Sequence, residues 1–184
     1  KNYKKVYDVA WRDMMTSKLG LLDFEPENDE VLFQDLVRNL KNTETDMTLF
    51  FRHLSKLELN KKTDVNQLLS IIEPAFYADT IESDEANNIK TWLLQYVERL
   101  KKDDKSDEDR RQQMNAVNPL YVLRNYLAQE AIEQAEAGSY TMIHELQEVL
   151  KNPYEEQEGR ERFAQKRPDW AKSKAGASML SCSS

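Results

Sequence analysis

Apolar positions recur at spacings of three and four residues along most of the chain, which places them on single stripes of helices. Tyr3, Val6, Tyr7, Ala10, Trp11, Met14 and Met15 form the first stripe, and Gly20, just after Leu19, can take the left-handed conformation that closes a helix. Asn28 or Asp29 can cap a second helix carrying Val31, Leu32, Leu36, Val37 and Leu40. Asp46 can cap a third with Met47, Phe50, Phe51 and Leu54, and Asp64 a fourth with Val65, Leu68, Leu69 and Ile72, which Pro74 ends.

Ser83, followed by Asp84 and Glu85, puts a cap and two acids at the positive end of a fifth helix through Leu100. The run from Lys101 to Arg111 is charged or polar throughout, with Ser106 and Asp109 spaced like a capping box, and reads as a solvated loop entering another helical turn. Asn118 before Pro119 reads as the cap of a helix through Leu120, Leu123, Leu127 and Ala131 to Gly138. One further helix carries Met142, Ile143, Leu146, Val149 and Leu150. After Pro153 the period dissolves, leaving Tyr154, Phe163 and Trp170 as scattered anchors. The expected fold is all-α: an irregular bundle of about seven helices over 1–152, divisible near 101–111, and an extended tail over 153–184.

Composition narrows this further. Four glycines and five prolines in 184 residues are too few for an architecture built on tight turns, so a β-sandwich is excluded. The chain is 40% apolar and 32% charged, with a mean hydropathy of -0.79. No apolar run is long enough to span a bilayer and none reads as a signal peptide, so a cytoplasmic protein is expected, or a mitochondrial one in a eukaryote. One cysteine excludes an internal disulfide framework. The net charge of -7 is uneven: Gly159 to Ser184 holds six basic and two acidic residues, leaving -11 for the rest. An acidic body with a short basic tail argues against nucleic acid as a partner. The first residue is Lys1 and not Met, as expected of a processed chain or a fragment.

Chemistry-bearing patterns are sparse. Glycines at 20, 138, 159 and 176 are too scattered to wrap backbone amides around a phosphate. His144 and Glu145 resemble the start of a zinc-protease helix, but Glu148 stands where the second histidine is needed, so an exposed helix face is expected. Asp103, Asp104, Asp107 and Asp109 crowd together without the turn glycine and terminal glutamate of a calcium loop, and read as a solvated acidic loop. Arg124 and Asn125 are expected to face outward from a helix. His53 is expected to be a satisfied core or interface histidine. Cys182 lies in Ser181–Ser184, beside Lys172 and Lys174, where positive charge favours thiolate.

The stretch Met114 to Gln129 (MNAVNPLYVLRNYLAQ) resembles the carboxyl-terminal signature of the selenoprotein O (SelO, YdiU) family. Further matches stand in the family's order: KLGL at Lys18–Leu21, DMTLFFR at Asp46–Arg52, LKNPY at Leu150–Tyr154, PDW at Pro168–Trp170 and SCSS at Ser181–Ser184. The resemblance implies a pseudokinase-fold protein adenylyltransferase that moves AMP from ATP to protein Ser, Thr or Tyr with a divalent metal such as Mg2+. It places the nucleotide, metal and catalytic residues in an amino-terminal kinase-like region absent here, so no catalytic, cofactor-binding or metal residue is carried over. Cys182 matches the position where animal members place selenocysteine.

The expected function is therefore that of a helical accessory region, packing on a kinase-like domain of an AMP transferase and contributing a redox-sensitive thiol at Cys182. Its expected partners are that domain and the enzyme's protein substrates, with no membrane or nucleic acid. The alternative is a helical interaction module, since Ala135–Tyr140 between two helices followed by Leu150–Pro153 mimics one tetratricopeptide hairpin.

Overall fold

The computed structural model describes residues 2–59, 64–78, 81–174 and 176–177. Regular structure among them is helical, and one isolated antiparallel bridge pairs Thr45 with Phe76. The chain forms two compact units, Lys1–Asn118 and Pro119–Ser184.

In the first unit, α1 (Asn2–Lys18) ends as its sequence predicts. Gly20 has φ +69°, its N–H donates to Ser17 O at 3.1 Å, and the Leu21 N–H donates to Thr16 O at 3.0 Å. This is the double closure that a left-handed residue permits. α2 (Pro26–Asn42) begins earlier than the proposed Asn28 or Asp29 cap. Glu25 is the N-cap and Pro26 opens the helix, where its missing N–H costs nothing. Asp29 sits one turn inside and accepts the Glu25 N–H at 2.8 Å, so it serves the helix end from within.

α3 (Met47–Leu54) and α4 (Val65–Ile72) are capped by Asp46 and Asp64 as expected. Pro74 falls in a short 3-10 turn, Glu73–Ala75. α5 (Ser83–Leu100) has Glu82 as its N-cap, so Ser83 is the first helical residue and does not cap it. α6 (Asp107–Val117) is capped by Ser106, whose hydroxyl accepts the Asp109 N–H at 3.0 Å. The polar run over 101–111, which α6 partly takes up, is less solvated than its composition suggests, since Arg110 is buried within the helix.

The core of this unit is built on aromatic rings. Trp92 stacks on Tyr96 with centroids 5.1 Å apart, and Phe50 packs against both Trp92 and Phe51. Each buried polar tip finds a partner: Trp92 Nε1 donates to Leu32 O at 2.9 Å and the Tyr96 hydroxyl to Leu19 O at 2.7 Å. Burial pushes the Tyr96 phenol well above its ordinary range.

The second unit does not begin with the helix expected behind Asn118. Pro119 to Arg124 is irregular, and α7 (Asn125–Glu136) starts behind an Arg124 N-cap. Asn118 is instead the residue that ends α6. The Leu120 and Tyr121 N–H groups both donate to Pro153 O, at 2.8 and 3.0 Å, which holds this stretch out of a helix. α7 ends at Gly138 (φ +86°), and α8 (Thr141–Val149) packs back on it. A 3-10 turn, Glu161–Ala164, inserts Phe163 into the core beside Leu127 and Val149, and α9 (Trp170–Ser173) adds Ala171. Trp170, 41% exposed, meets Tyr126 edge to face at 6.2 Å.

Candidate functional site

Three of the signature segments converge within the first unit. Lys18 closes α1, Arg52 lies on α3, and Asn115 and Asn118 lie at the end of α6. The Lys18 ammonium donates to Asn118 Oδ1 at 2.9 Å and sits 4.7 Å from the centre of the Phe51 ring. Asn118 Nδ2 donates to Lys18 O at 3.0 Å and to Met114 O at 2.9 Å, satisfying carbonyls at the ends of two helices. Arg52 Nη1 reaches Asn115 O and Asn118 O, both at 3.5 Å, and Ser55 donates to Asn115 Oδ1 at 2.9 Å. Burial holds the Lys18 ammonium below its ordinary pKa. The cluster's chemistry is that of a clamp, tying the ends of α1 and α6 to α3.

A second cluster surrounds Arg99, which is 4% exposed. Its Nε donates to Asp29 Oδ1 at 2.9 Å, its Nη1 to Asp103 Oδ1 at 2.7 Å, and its Nη2 to Asp23 O at 3.0 Å. Asp103 also accepts the Leu22 N–H at 2.8 Å. Burial alone would push the guanidinium down, but the hydrogen bonds to Asp103 and Asp29 reverse this and hold it above its usual value. Beside it, a cleft of about 540 Å³ opens between α2 and α5, with Val31, Leu32 and Leu94 on its walls and Glu27, Glu98 and Lys102 among its polar lining.

The other sequence candidates are placed as follows. The four aspartates of the acidic run do not converge: Asp103 serves Arg99, Asp104 is exposed, Asp107 pairs with Arg110 at 2.7 Å and accepts the Leu59 N–H, and Asp109 bonds Ser106. Among the described residues no group of three or more His, Cys, Asp or Glu side chains could hold a metal ion. His144 is exposed, and Glu145 pairs with Arg160 and Arg162. Arg124 and Asn125, expected to face outward from within a helix, stand instead at the start of α7, and both are half-buried. His53 is half-buried, and burial with the nearby Lys56 charge lowers its pKa against the opposing pull of Asp46. Cys182 lies outside the described residues.

The Arg99 cluster escaped the sequence reading, although Arg99 and Asp103 stand four apart and Asp29 drew notice as a cap. No helix among the described residues is long and apolar enough to cross a membrane.

The family model described as protein adenylyltransferase SelO matches residues 1–151. The chain is 43% identical over 191 residues to the protein nucleotidyltransferase YdiU of Rhodopirellula baltica, covering 99% of this chain and 35% of that protein. It is 45% identical over 182 residues to the protein of the same name from Aromatoleum aromaticum, covering 99% and 34%. Against that of Flavobacterium johnsoniae it is 45% identical over 178 residues, covering 96% and 33%. The chain thus spans about a third of the length of these curated relatives.

Proposed function

Because the chain belongs to the SelO family of protein adenylyltransferases, we propose that it is the helical carboxyl-terminal region of a cytoplasmic enzyme that transfers AMP from ATP to Ser, Thr or Tyr of protein substrates. The observation that carries this reading is identity of 43 to 45% across nearly the whole chain to nucleotidyltransferases about three times as long. ATP and Mg2+ belong, in this reading, to a kinase-like region on which this one packs.

In this reading none of the described residues holds the nucleotide or its metal. The space a side chain would fill at Gly20 is already taken by Arg110 and Met114, and that at Gly176 by Gln129; Gly138 and Gly159 have open space beside them, but each stands alone in the sequence and not in a glycine-rich loop. Three carboxylates of the acidic run, Asp103, Asp107 and Asp109, are bonded to Arg99, Arg110 and Ser106. What this chain's own residues do is hold helix ends in place through Asn118, Lys18 and Arg99.

The test is AMP transfer by the full-length polypeptide, with ATP labelled at the α-phosphate and Mg2+. Label on protein is expected from the full-length polypeptide and not from residues 1–184 alone. Failure of the former, or transfer by the latter, rejects the reading.

Cys182 completes the proposal as a redox thiol. It would join a second cysteine of the longer polypeptide, the two thiols giving two electrons and two protons to a peroxide, which is reduced to water or an alcohol and water. Nonreducing peptide mapping after mild peroxide treatment should show the link. Cys182→Ser should remove the response of AMP transfer to reductant, and an unchanged response sinks this part alone.

A further inference from the structure

The apolar stripe of α1 is covered over only part of its length. Tyr3, Tyr7, Trp11, Met15 and Leu19 follow one another four residues apart, so they form one row winding along the helix. Met15 and Leu19 are buried in the unit's core and Trp11 packs against it at the edge of Phe33. The other end is bare: Tyr3 is 82% exposed and Tyr7 55%, their rings stacked on each other 6.4 Å apart. Val6 and Met14, also exposed, widen the row on one side. An apolar helix face this continuous is uncommon on a free protein surface and marks a contact.

We infer that the bare part of this stripe, from Tyr3 to Met14, is the seat of the polypeptide lying outside these 184 residues in the full-length protein. The inference rests on the proposed function's reading of the chain as one region of a longer protein. Two observations favour that occupant over a second copy of the chain. The family model includes α1 from its first residue, so this helix belongs to what the relatives have in common. Those relatives carry about two further chain lengths in the same polypeptide, which can reach the stripe without any cost of association. The stripe also continues directly from the core packing of Met15 and Leu19, so the covering segment would extend an existing core.

Hydroxyl-radical footprinting of the full-length polypeptide, read by peptide mass spectrometry, tests this with internal references. Tyr7 and Tyr140 are 55% and 59% exposed, and Met14 and Met47 are 44% and 55% exposed, so each pair should react alike if α1 stays bare. Because the centre of a packed contact excludes water, Tyr7 and Met14 are expected to react about fivefold more slowly than their references. Equal rates overturn the inference. Protection that fades on dilution assigns the stripe to a second copy and also overturns it. AMP transfer measured on the same sample separates the two readings. Transfer with an unprotected stripe sinks only the inference, whereas protection without transfer sinks the proposed activity and leaves the docking surface standing.

Discussion

Asn118 grips Lys18 from both sides: its carboxamide oxygen accepts from the Lys18 ammonium at 2.9 Å and its nitrogen donates to the Lys18 carbonyl at 3.0 Å. The two residues are 100 positions apart, yet each supplies what the other lacks, and Asn118 is 1% exposed. Asn118→Ala removes the donor to two helix-end carbonyls and the acceptor for a half-buried cation. A loss of about 2 kcal/mol is expected, since orphaned buried groups carry their full desolvation penalty. Denaturant unfolding of the parent and variant checks it, and a change under about 0.5 kcal/mol would show the clamp to be dispensable.

The ion-pair cluster should behave unlike surface pairs. Asp29 is completely buried and depends on Arg99 to neutralise it. Arg99→Met leaves that carboxylate and Asp103 without their partner, and a loss of about 3–5 kcal/mol is expected. Adding Asp29→Asn to Arg99→Met should recover part of the loss by discharging the stranded group. Lys101→Met, which breaks an exposed pair with Glu98, should change stability by less than about 1 kcal/mol. Comparable effects for Arg99→Met and Lys101→Met would reject the distinction.

The fold was readable where local signals and packing agree, as at Asp46, Asp64, Ser106 and Gly20, each of which does what its residue type predicts at a helix end. It was misread where a side chain serves a distant partner. Asn118 looks like a cap before proline, but its amide is taken by Lys18 and Met114, and the next two N–H donors of the chain go to Pro153. Arg110 sits in a run of charge that suggests water, yet it is buried between Asp107 and the Leu57 carbonyl. Asp29 and Arg99 are 70 residues apart, and no local pattern couples them. The signature segments were visible as residues, but their convergence on one clamp depends on the packing of α1, α3 and α6.

His53 gives a pH dependence with a definite sign. Its folded pKa lies below the ordinary 6.5, because burial and then the Lys56 charge disfavour the imidazolium. As pH falls through the unfolded value, the unfolded chain takes up a proton that the folded chain resists, so stability is lost until the folded pKa is reached. Above the unfolded value both states are neutral and the full stability is present. His53→Gln should therefore flatten the stability profile between about pH 7 and pH 5 while leaving the alkaline side unchanged. Parallel profiles for parent and variant would remove His53 as the source.

Gly20 and Gly138 separate two costs that usually come together. Both have positive φ, +69° and +86°, so an L side chain at either position pays the left-handed penalty of about 1–2 kcal/mol. Their surroundings differ. A Cβ at Gly138 would meet nothing within 4 Å, whereas one at Gly20 would stand 2.6 Å from Arg110 Cγ and 2.8 Å from Met114 Cγ. Arg110 cannot swing away freely, since its guanidinium is held by Asp107 and the Leu57 carbonyl, and Met114 is completely buried. Gly20→Ala must therefore shift packed atoms as well as strain the backbone, adding about 1–3 kcal/mol of overpacking. Gly138→Ala should cost the backbone term alone. Equal losses for the two alanine variants in denaturant unfolding would mean that α6 can move away from the end of α1. The close fit of Arg110 and Met114 over Gly20 would then not be what selects glycine there.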